Sequence, residues 1–264
     1  MKLSTHIGTF PLVMAAPQDI DLIRGAGEER RRWMDMVISQ SDPRYLDALI
    51  RYNGALEQRN KMLRDSIVDH NLYAAVECVM DAAAHTIHSA RAAWTARLSS
   101  IFHHLYTSIA GTEEVVSLRY ISSLDSSSGS ILPLLDSARR HDEIVRHTSV
   151  GPHRDDIEML LDSMPMRRTG SQGQCKTFTV ALRLAQYEFL HQATSLRPLL
   201  LLDDIFDKLD ATRVERIMNL VTSSDFGQIF ITDTDRSHLH SIVSRTSGGD
   251  HRMWSVSQGT FIPE

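Results

Sequence analysis

Two adjacent carboxylates, Asp203 and Asp204, follow four unbroken leucines, Leu199-Leu200-Leu201-Leu202. An apolar run of this kind predicts a strand covered on both faces, as in a parallel sheet. Moving a carboxylate out of water is costly unless something pairs with it, so acids at the end of such a strand usually have a use. In nucleoside triphosphatases that use is to hold magnesium and to polarise a water. The companion of such a strand, a G-x-x-x-x-G-K-[ST] phosphate loop, occurs nowhere in the 264 residues.

A second group precedes it. Thr169-Gly170-Ser171-Gln172-Gly173-Gln174 opens a helix that carries Phe178, Leu182, Ala185 and Phe189 at helical spacing. Ser171 is a suitable N-cap, Gly173 allows close approach to the backbone, and the free amides of a helix start favour an anion such as phosphate. Taken alone this is an ordinary capped helix; the acidic strand that follows gives it a partner. After the acids comes Asp207-Lys208-Leu209-Asp210, in which Asp210 caps a helix containing Val214, Ile217 and Leu220. The next apolar strand, Gln228–Thr232, ends in Asp233 and Thr234, on the side of an α/β sheet where ligand chemistry collects.

The elements that must position these groups alternate from residue 157 onward: strand Ile157–Leu161, helix Gln174–Ala193, strand Leu199–Leu202, helix Asp210–Val221, strand Gln228–Thr232. Such alternation argues for a parallel α/β sheet. The first part reads differently. A short strand over Phe10–Ala16 is ended by Pro17-Gln18-Asp19, and three helices follow, over Glu28–Gln40, from Pro43 with Asp42 as cap, and over Leu72–Ser108. Long consecutive helices predict an antiparallel helical arm. Val115–Ser122 reads as a strand, with Val115, Ser117, Arg119 and Ile121 on one face. Ser126–Ser130 reads as a flexible turn, and Ile131–His147 as a helix leading into Gly151-Pro152-His153-Arg154-Asp155-Asp156.

A net charge of −5 gives no global argument for nucleic acid. Any such contact must come from a local patch. Arg24, Arg30, Arg31, Arg32, Arg44, Arg51, Arg59, Lys61 and Arg64 make the early helices locally basic, either for phosphate contacts or as a solvated face interleaved with Glu28, Glu29, Asp35 and Asp47. Two distant cysteines, Cys78 and Cys175, fit a reducing compartment. With no apolar segment of signal-peptide or membrane-span length, a cytoplasmic location is expected.

In its serine-glutamine-glycine-glutamine signature, its L-L-L-D-D strand and the leucine-aspartate turn after it, the chain resembles the RecF family of bacterial recombination-repair proteins. The likeness extends to His6-Ile7-Gly8, Pro11-Leu12-Val13, Pro17–Leu22, Glu29–Arg32, Asp35, Ile38-Ser39-Gln40, Arg51-Tyr52-Asn53, Gln58-Arg59-Asn60 and Gly151–Asp156. It implies an α/β fold, part of an ABC-type ATPase head with an inserted, mostly helical lobe. The division expected is a head remnant over 1–25, the lobe over 26–148 and the second half of the head over 149–264. It also implies that a complete member begins upstream, with the phosphate-loop lysine in that segment.

Carried over by position, Asp203 holds Mg2+, directly or through water, and Asp204 orients or deprotonates the attacking water. Ser171, Gln172, Gly173 and Gln174 press on the γ-phosphate of ATP bound by another subunit, and Asp210 sits in the dimer-contacting loop. Gln18 is a candidate nucleotide sensor or a surface-turn residue. Arg30, Arg31 and Arg32 are candidates for DNA contact; Arg154 reaches phosphate or DNA, or forms an ion pair with its flanking aspartates. Two departures stand out. Lys208 replaces the Glu of many members, and Asp204 replaces the longer glutamate of most ABC ATPases, which implies slow hydrolysis. The resemblance implies an ATP-dependent homodimer that binds DNA junctions and single-stranded DNA and acts with RecR and RecO to load RecA. The alternatives are a non-hydrolysing module that binds DNA or a partner, or a fragment of another SMC-like ATPase.

Overall fold

The computed structural model describes residues 6–111, 114–126, 129–207, 209–222, 226–234, 240 and 251–263. Lys208 lies outside them. The chain opens with strand β1 (Leu12–Ala15), a short helix α1 (Ile20–Arg24) that the sequence patterning did not disclose, and helices α2 (Gly27–Ser41), α3 (Pro43–Arg64) and α4 (His70–Ala110). As expected, Asp42 caps α3 by accepting the Arg44 amide at 2.9 Å, with Pro43 in the first turn. Asp69 caps α4 in the same way. The 41 residues of α4 give a rod about 60 Å long at 1.5 Å per residue. It stops at Gly111, whose left-handed φ of 64° lets its amide bond Thr107 O at 2.9 Å.

Helix α4 is the spine of the molecule. Its buried stripe, Val76, Met80, Ala83, Ile87, Trp94, Leu98, Phe102 and Ile109, follows the three-to-four spacing of one helical face. Towards its start the stripe packs on α3, which returns antiparallel across a five-residue turn. Farther along it meets α7 (Gln172–Thr194), where Phe102 and Phe178 lie edge to face at 4.5 Å and Trp94 meets Phe189 at 6.3 Å. One continuous buried cluster therefore joins the helical lobe to the head.

Between α4 and α7 lie β2 (Val116–Ile121), α5 (Leu132–Val145), β3 (Asp156–Leu161), β4 (Met164–Pro165) and α6 (Met166–Thr169). After α7 come β5 (Leu199–Asp203), α8 (Ala211–Val221), β6 (Ile229–Thr232) and a hairpin of β7 (Trp254–Ser257) and β8 (Thr260–Pro263). Strands β1, β5 and β6 form a parallel sheet in the order β1-β5-β6. One expectation fails here: β3 is not a member of that sheet. It pairs antiparallel with β2, Val116 opposite Leu161 and Ile121 opposite Asp156. Alternation of element types carries no information about strand direction, and β2 is the strand that packs along α4 beside it. The β2 set Val115, Ser117, Arg119 and Ile121 shares the outward face, where Arg119 Nε meets Glu158 at 2.8 Å; Val116 and Leu118 are the buried pair.

Candidate nucleotide site and its neighbouring surfaces

Strand β5 is held between β1 and β6, and this delivers Asp203 to the carboxyl end of the sheet. Asp203 Oδ1 accepts the Thr232 hydroxyl at 2.5 Å from the adjacent strand. The donor set there, a carboxylate and a hydroxyl, is the hard oxygen chemistry that suits Mg2+. Asp204 leaves the strand with a left-handed φ of 48°, and its amide bonds Thr232 O at 3.1 Å. Aspartate is among the few side chains that tolerate this conformation. Ile205 and Phe206, each 1% exposed, anchor the following turn.

The signature is shaped by a capping box. Ser171 Oγ accepts the Gln174 amide at 3.2 Å, and Gln174 Oε1 accepts the Ser171 amide at 2.9 Å. Gln174 Nε2 then donates to Glu114 at 2.8 Å, so the side chain of Gln174 is already engaged, while Ser171 and Gln172 are exposed. Two cations that the sequence did not single out tie the pieces together. Lys176, in the first turns of α7, donates to the Asp204 carbonyl at 3.3 Å. Arg213 of α8 ion-pairs with Asp210 at 3.4 Å, and its guanidinium lies so near Gly173 that an added Cβ would meet it at 3.0 Å. Asp210 also caps α8, accepting the Arg213 amide at 3.0 Å. The signature, the acidic strand end and Asp210 thus lie in one neighbourhood. Lys176 had no local signal, because its partner is 28 residues away in sequence; Arg213 pairs locally with Asp210, but its place beside Gly173, 40 residues back, was not legible.

Gln18 is exposed on the turn after β1, one strand over from Asp203. Its neighbour Asp19 pairs with Arg183 of α7 at 2.6 Å. Arg183 and the Trp33 indole of α2 both donate to Gln186, at 2.8 and 2.9 Å. A hydrogen-bonded path therefore runs from this turn through the signature helix to the lobe.

The Gly151–Asp156 segment is a structural hub. Asp155 receives Arg91 and Tyr120, while Asp156 takes a bidentate pair from Arg30 at 2.7 and 2.9 Å. Burial raises the Asp155 carboxyl; it would do the same to Asp156, but the Arg30 bonds hold that group below its usual range. His153 lies between the Tyr52 hydroxyl at 2.8 Å and the Thr148 carbonyl at 3.0 Å. A carbonyl only accepts, so Nε2 carries the proton, and burial pushes the ring down to about 4. Gly151 has a φ of 116°, and a Cβ there would stand 2.5 Å from the Tyr52 hydroxyl.

This hub revises the basic candidates. Arg30 is buried, and besides Asp156 it bonds the Leu22 and Gly25 carbonyls; it has no surface to offer DNA. Arg59 is likewise buried against Glu77, Asp142 and Thr148. Arg31 is half-buried and donates to Asp155 O, whereas Arg32 is exposed and pairs weakly with Glu28 and Glu29. Arg24, Arg44, Lys61 and Arg64 are exposed. Arg154 forms no pair with its flanking aspartates, which are taken by Arg91 and Arg30; it is exposed and donates to Thr148 O at 3.4 Å. Among the described residues no helix is long and apolar enough to cross a membrane, and no His, Cys, Asp and Glu cluster has the form of a metal cage.

No protein-family model matches the chain. It is 46% identical over 262 residues to the DNA replication and repair protein RecF of Parabacteroides distasonis, a match that covers 99% of this chain and 71% of that protein. A solved structure of the recombination mediator protein RecF-ATP in the RecFOR pathway superposes with a TM-score of 0.80 at 23% identity, over 98% of this chain and 68% of that one. An Smc head domain with an extended coiled coil from Pyrococcus furiosus superposes at 0.50 and 15% identity, over 96% and 61%. The fold is that of part of an ABC-type ATPase head with an inserted helical lobe. Taken with the signature, the acidic strand and the hub, the sequence match means that the chain belongs to the RecF family of DNA replication and repair proteins.

Proposed function

We propose that the chain forms part of an ATP-dependent DNA-binding head that works as a homodimer in recombinational repair, with RecR and RecO, to load RecA at gapped DNA. In this reading Asp203, with the Thr232 hydroxyl beside it, holds Mg2+, which would neutralise phosphate charge. Asp204 orients the attacking water; its short side chain and left-handed backbone predict slow turnover. Ser171 and Gln172 face the γ-phosphate held by the other copy, with Gly173 keeping the backbone accessible and Gln174 fixing the cap. Asp210 meets the partner, and Gln18 reports nucleotide to the lobe. Arg31 and Arg32, with Arg44, Lys61 and Arg64, supply sequence-independent phosphate contacts. The division into head remnant 1–25, lobe 26–148 and second head half 149–264 belongs to the same proposal.

The observation that carries this reading is the bond from Lys176 of the signature helix to the acidic strand end, with Arg213, the ion-pair partner of Asp210, lying beside Gly173. Its test is ATP-dependent dimerisation of the chain joined to an upstream phosphate-loop segment, followed by light scattering. Ser171→Arg abolishes dimerisation if the signature acts in trans; unchanged dimerisation refutes that role. A second reading rests on the lack of a phosphate-loop sequence in these 264 residues: the polypeptide by itself is a non-hydrolysing module for DNA or a partner. Filter binding separates the two, since micromolar Mg-ATP affinity of the 264 residues alone would sink the second.

A further inference from the structure

Five stretches distant in sequence, 6–8, 29–32, 38–40, 51–53 and 151–156, carry part of the likeness to the family. Each lends residues to one open cavity of about 850 Å3 between α2, α3 and the segment before β1. That volume lies in the range of small-molecule sites, roughly 300–1,000 Å3. Gly8 closes one side. Its φ is 84° and an added Cβ would stand 2.3 Å from the Gln40 carbonyl, so the segment lies hard against the end of α2. The cavity opens at the start of β1, whereas Asp203 stands at the carboxyl end of β5, which runs parallel to β1. It is therefore separate from the candidate Mg2+ site.

The lining combines three chemistries. The first is charge. Arg91 is spent on Asp35 and Asp155, and Glu28 faces Arg32 at 3.1 Å. Arg31 is left over: it is half-buried, its bond goes to the neutral Asp155 carbonyl at 2.9 Å, and the neighbouring Asp156 is taken up by Arg30. Burial weighs against the Arg31 charge and Asp156 offsets this only in part. One more negative charge is what this corner lacks. The second is a flat apolar surface. Phe10 is 87% exposed at the rim, and an exposed ring beside arginines is a platform on which unpaired bases stack. The third is a pair of amides. Asn53 makes no side-chain hydrogen bond among the described residues, and Gln40 engages only its Nε2, with Met36 O at 3.1 Å. Side-chain amides match the donor and acceptor edges of a base.

We propose that this cavity binds one nucleotide, with its phosphate on Arg31, Arg32 at the rim, and its base on Phe10 and read by Asn53 and Gln40. The nucleotide is either free or the unpaired unit of a strand. An acidic peptide with an apolar side chain would satisfy the cation and the ring but leave both amides without a use. Only the strand source rests on the DNA-binding reading above.

The test titrates the 264-residue chain with dAMP, with inorganic phosphate, with a blunt duplex and with the same duplex carrying one unpaired 2-aminopurine, whose fluorescence falls on stacking. Saturable quenching of the overhang, tighter than binding of the blunt duplex, identifies a strand; saturable heat from dAMP identifies the free nucleotide. Phe10→Ala and Asn53→Ala, both at exposed positions, each weaken the bound probe by roughly 5-fold or more. Arg31→Gln lowers the salt slope of overhang binding by about one. Ile144→Ala, 79% exposed on α5, changes nothing. No response to dAMP or to the overhang overturns the proposal, and an acidic, phenylalanine-containing peptide bound instead, in a manner that Phe10→Ala abolishes, assigns the cavity to a protein. Nucleotide binding that Phe10→Ala and Asn53→Ala leave unchanged, or that inorganic phosphate displaces as well as dAMP does, also overturns it. Binding of dAMP without any salt-sensitive binding of the overhang leaves the cavity standing and counts against the proposed DNA-binding head.

Discussion

Replacing Arg91 with methionine tests whether the Gly151–Asp156 hub joins lobe to head. Arg91 is 2% exposed and donates to Tyr45 Oη at 3.0 Å, Pro152 O at 2.7 Å, Asp35 at 2.8 Å and Asp155 at 3.3 Å. Methionine keeps the volume of the stem and removes the charge. Asp155, whose side chain is 1% exposed, is then a buried carboxylate left with the hydroxyls of Tyr120 and Ser122 and no cation bonded to it. Removing one member of a buried ion pair costs about 3–5 kcal/mol, a large share of a total of roughly 5–15 kcal/mol. The melting temperature falls by roughly 6–20 °C at about 2–4 °C per kcal/mol. Urea unfolding followed by the emission of the buried Trp33 and Trp94 measures it. Adding Asp155→Asn removes the stranded charge, so the double variant loses less than the sum of the single ones, with a coupling of about 2 kcal/mol. Loss of Arg91, whose charge lowers the Asp155 carboxyl, also steepens a pH dependence that the unsubstituted protein already has. With its folded carboxyl raised above the unfolded value, Asp155 binds more protons when folded, so stability rises as pH falls through that window. A loss under about 1 kcal/mol, or strict additivity with Asp155→Asn, would refute the hub argument.

Three further outcomes are expected. Burial holds His153 down at about 4, below the 6.5 of a free imidazole. Its contribution, about 3 kcal/mol, is complete above the unfolded value and is lost as pH falls towards the folded one. His153→Gln should flatten urea midpoints between pH 7 and 4.5. Arg30→Ala and Arg32→Ala should part company: the first loses about 2–4 kcal/mol of stability with its bidentate pair. The second stays within about 0.5 kcal/mol but weakens DNA binding and lowers the salt slope by about one, as fluorescence anisotropy at several salt concentrations will read. Ser171→Ala removes one half of the capping box and costs about 1 kcal/mol; an unchanged melting curve would show that the cap is not formed.

The local features were legible because their causes are local. The leucine run forced a strand, though among the described residues only its face of Leu200 and Leu202 is buried and not both faces as expected; Asp42-Pro43 announced a helix start, and Ser171 and Gln174, three apart, wrote their own capping box. The motifs from Ser171 to Asp210 were enough to point to the family. Partnership was not legible. Arg30, Arg31 and Arg32 are identical residues in a row, yet a helix turns each by about 100°, so one is buried on Asp156, one leans on Asp155 and one meets solvent. The same blindness hid Lys176, whose partner is a loop carbonyl distant in sequence, and the approach of Arg213 to Gly173, though not its local pair with Asp210. It also put β3 in the wrong sheet, because apolar patterning fixes which face is buried but not which strand lies alongside. The acidic pair at Asp203-Asp204 was evident from sequence by itself. Only the tertiary structure decided that Asp203 crowns a sheet face whose apolar rows lie open, since burial is a property of what packs against a strand and not of the strand's own residues.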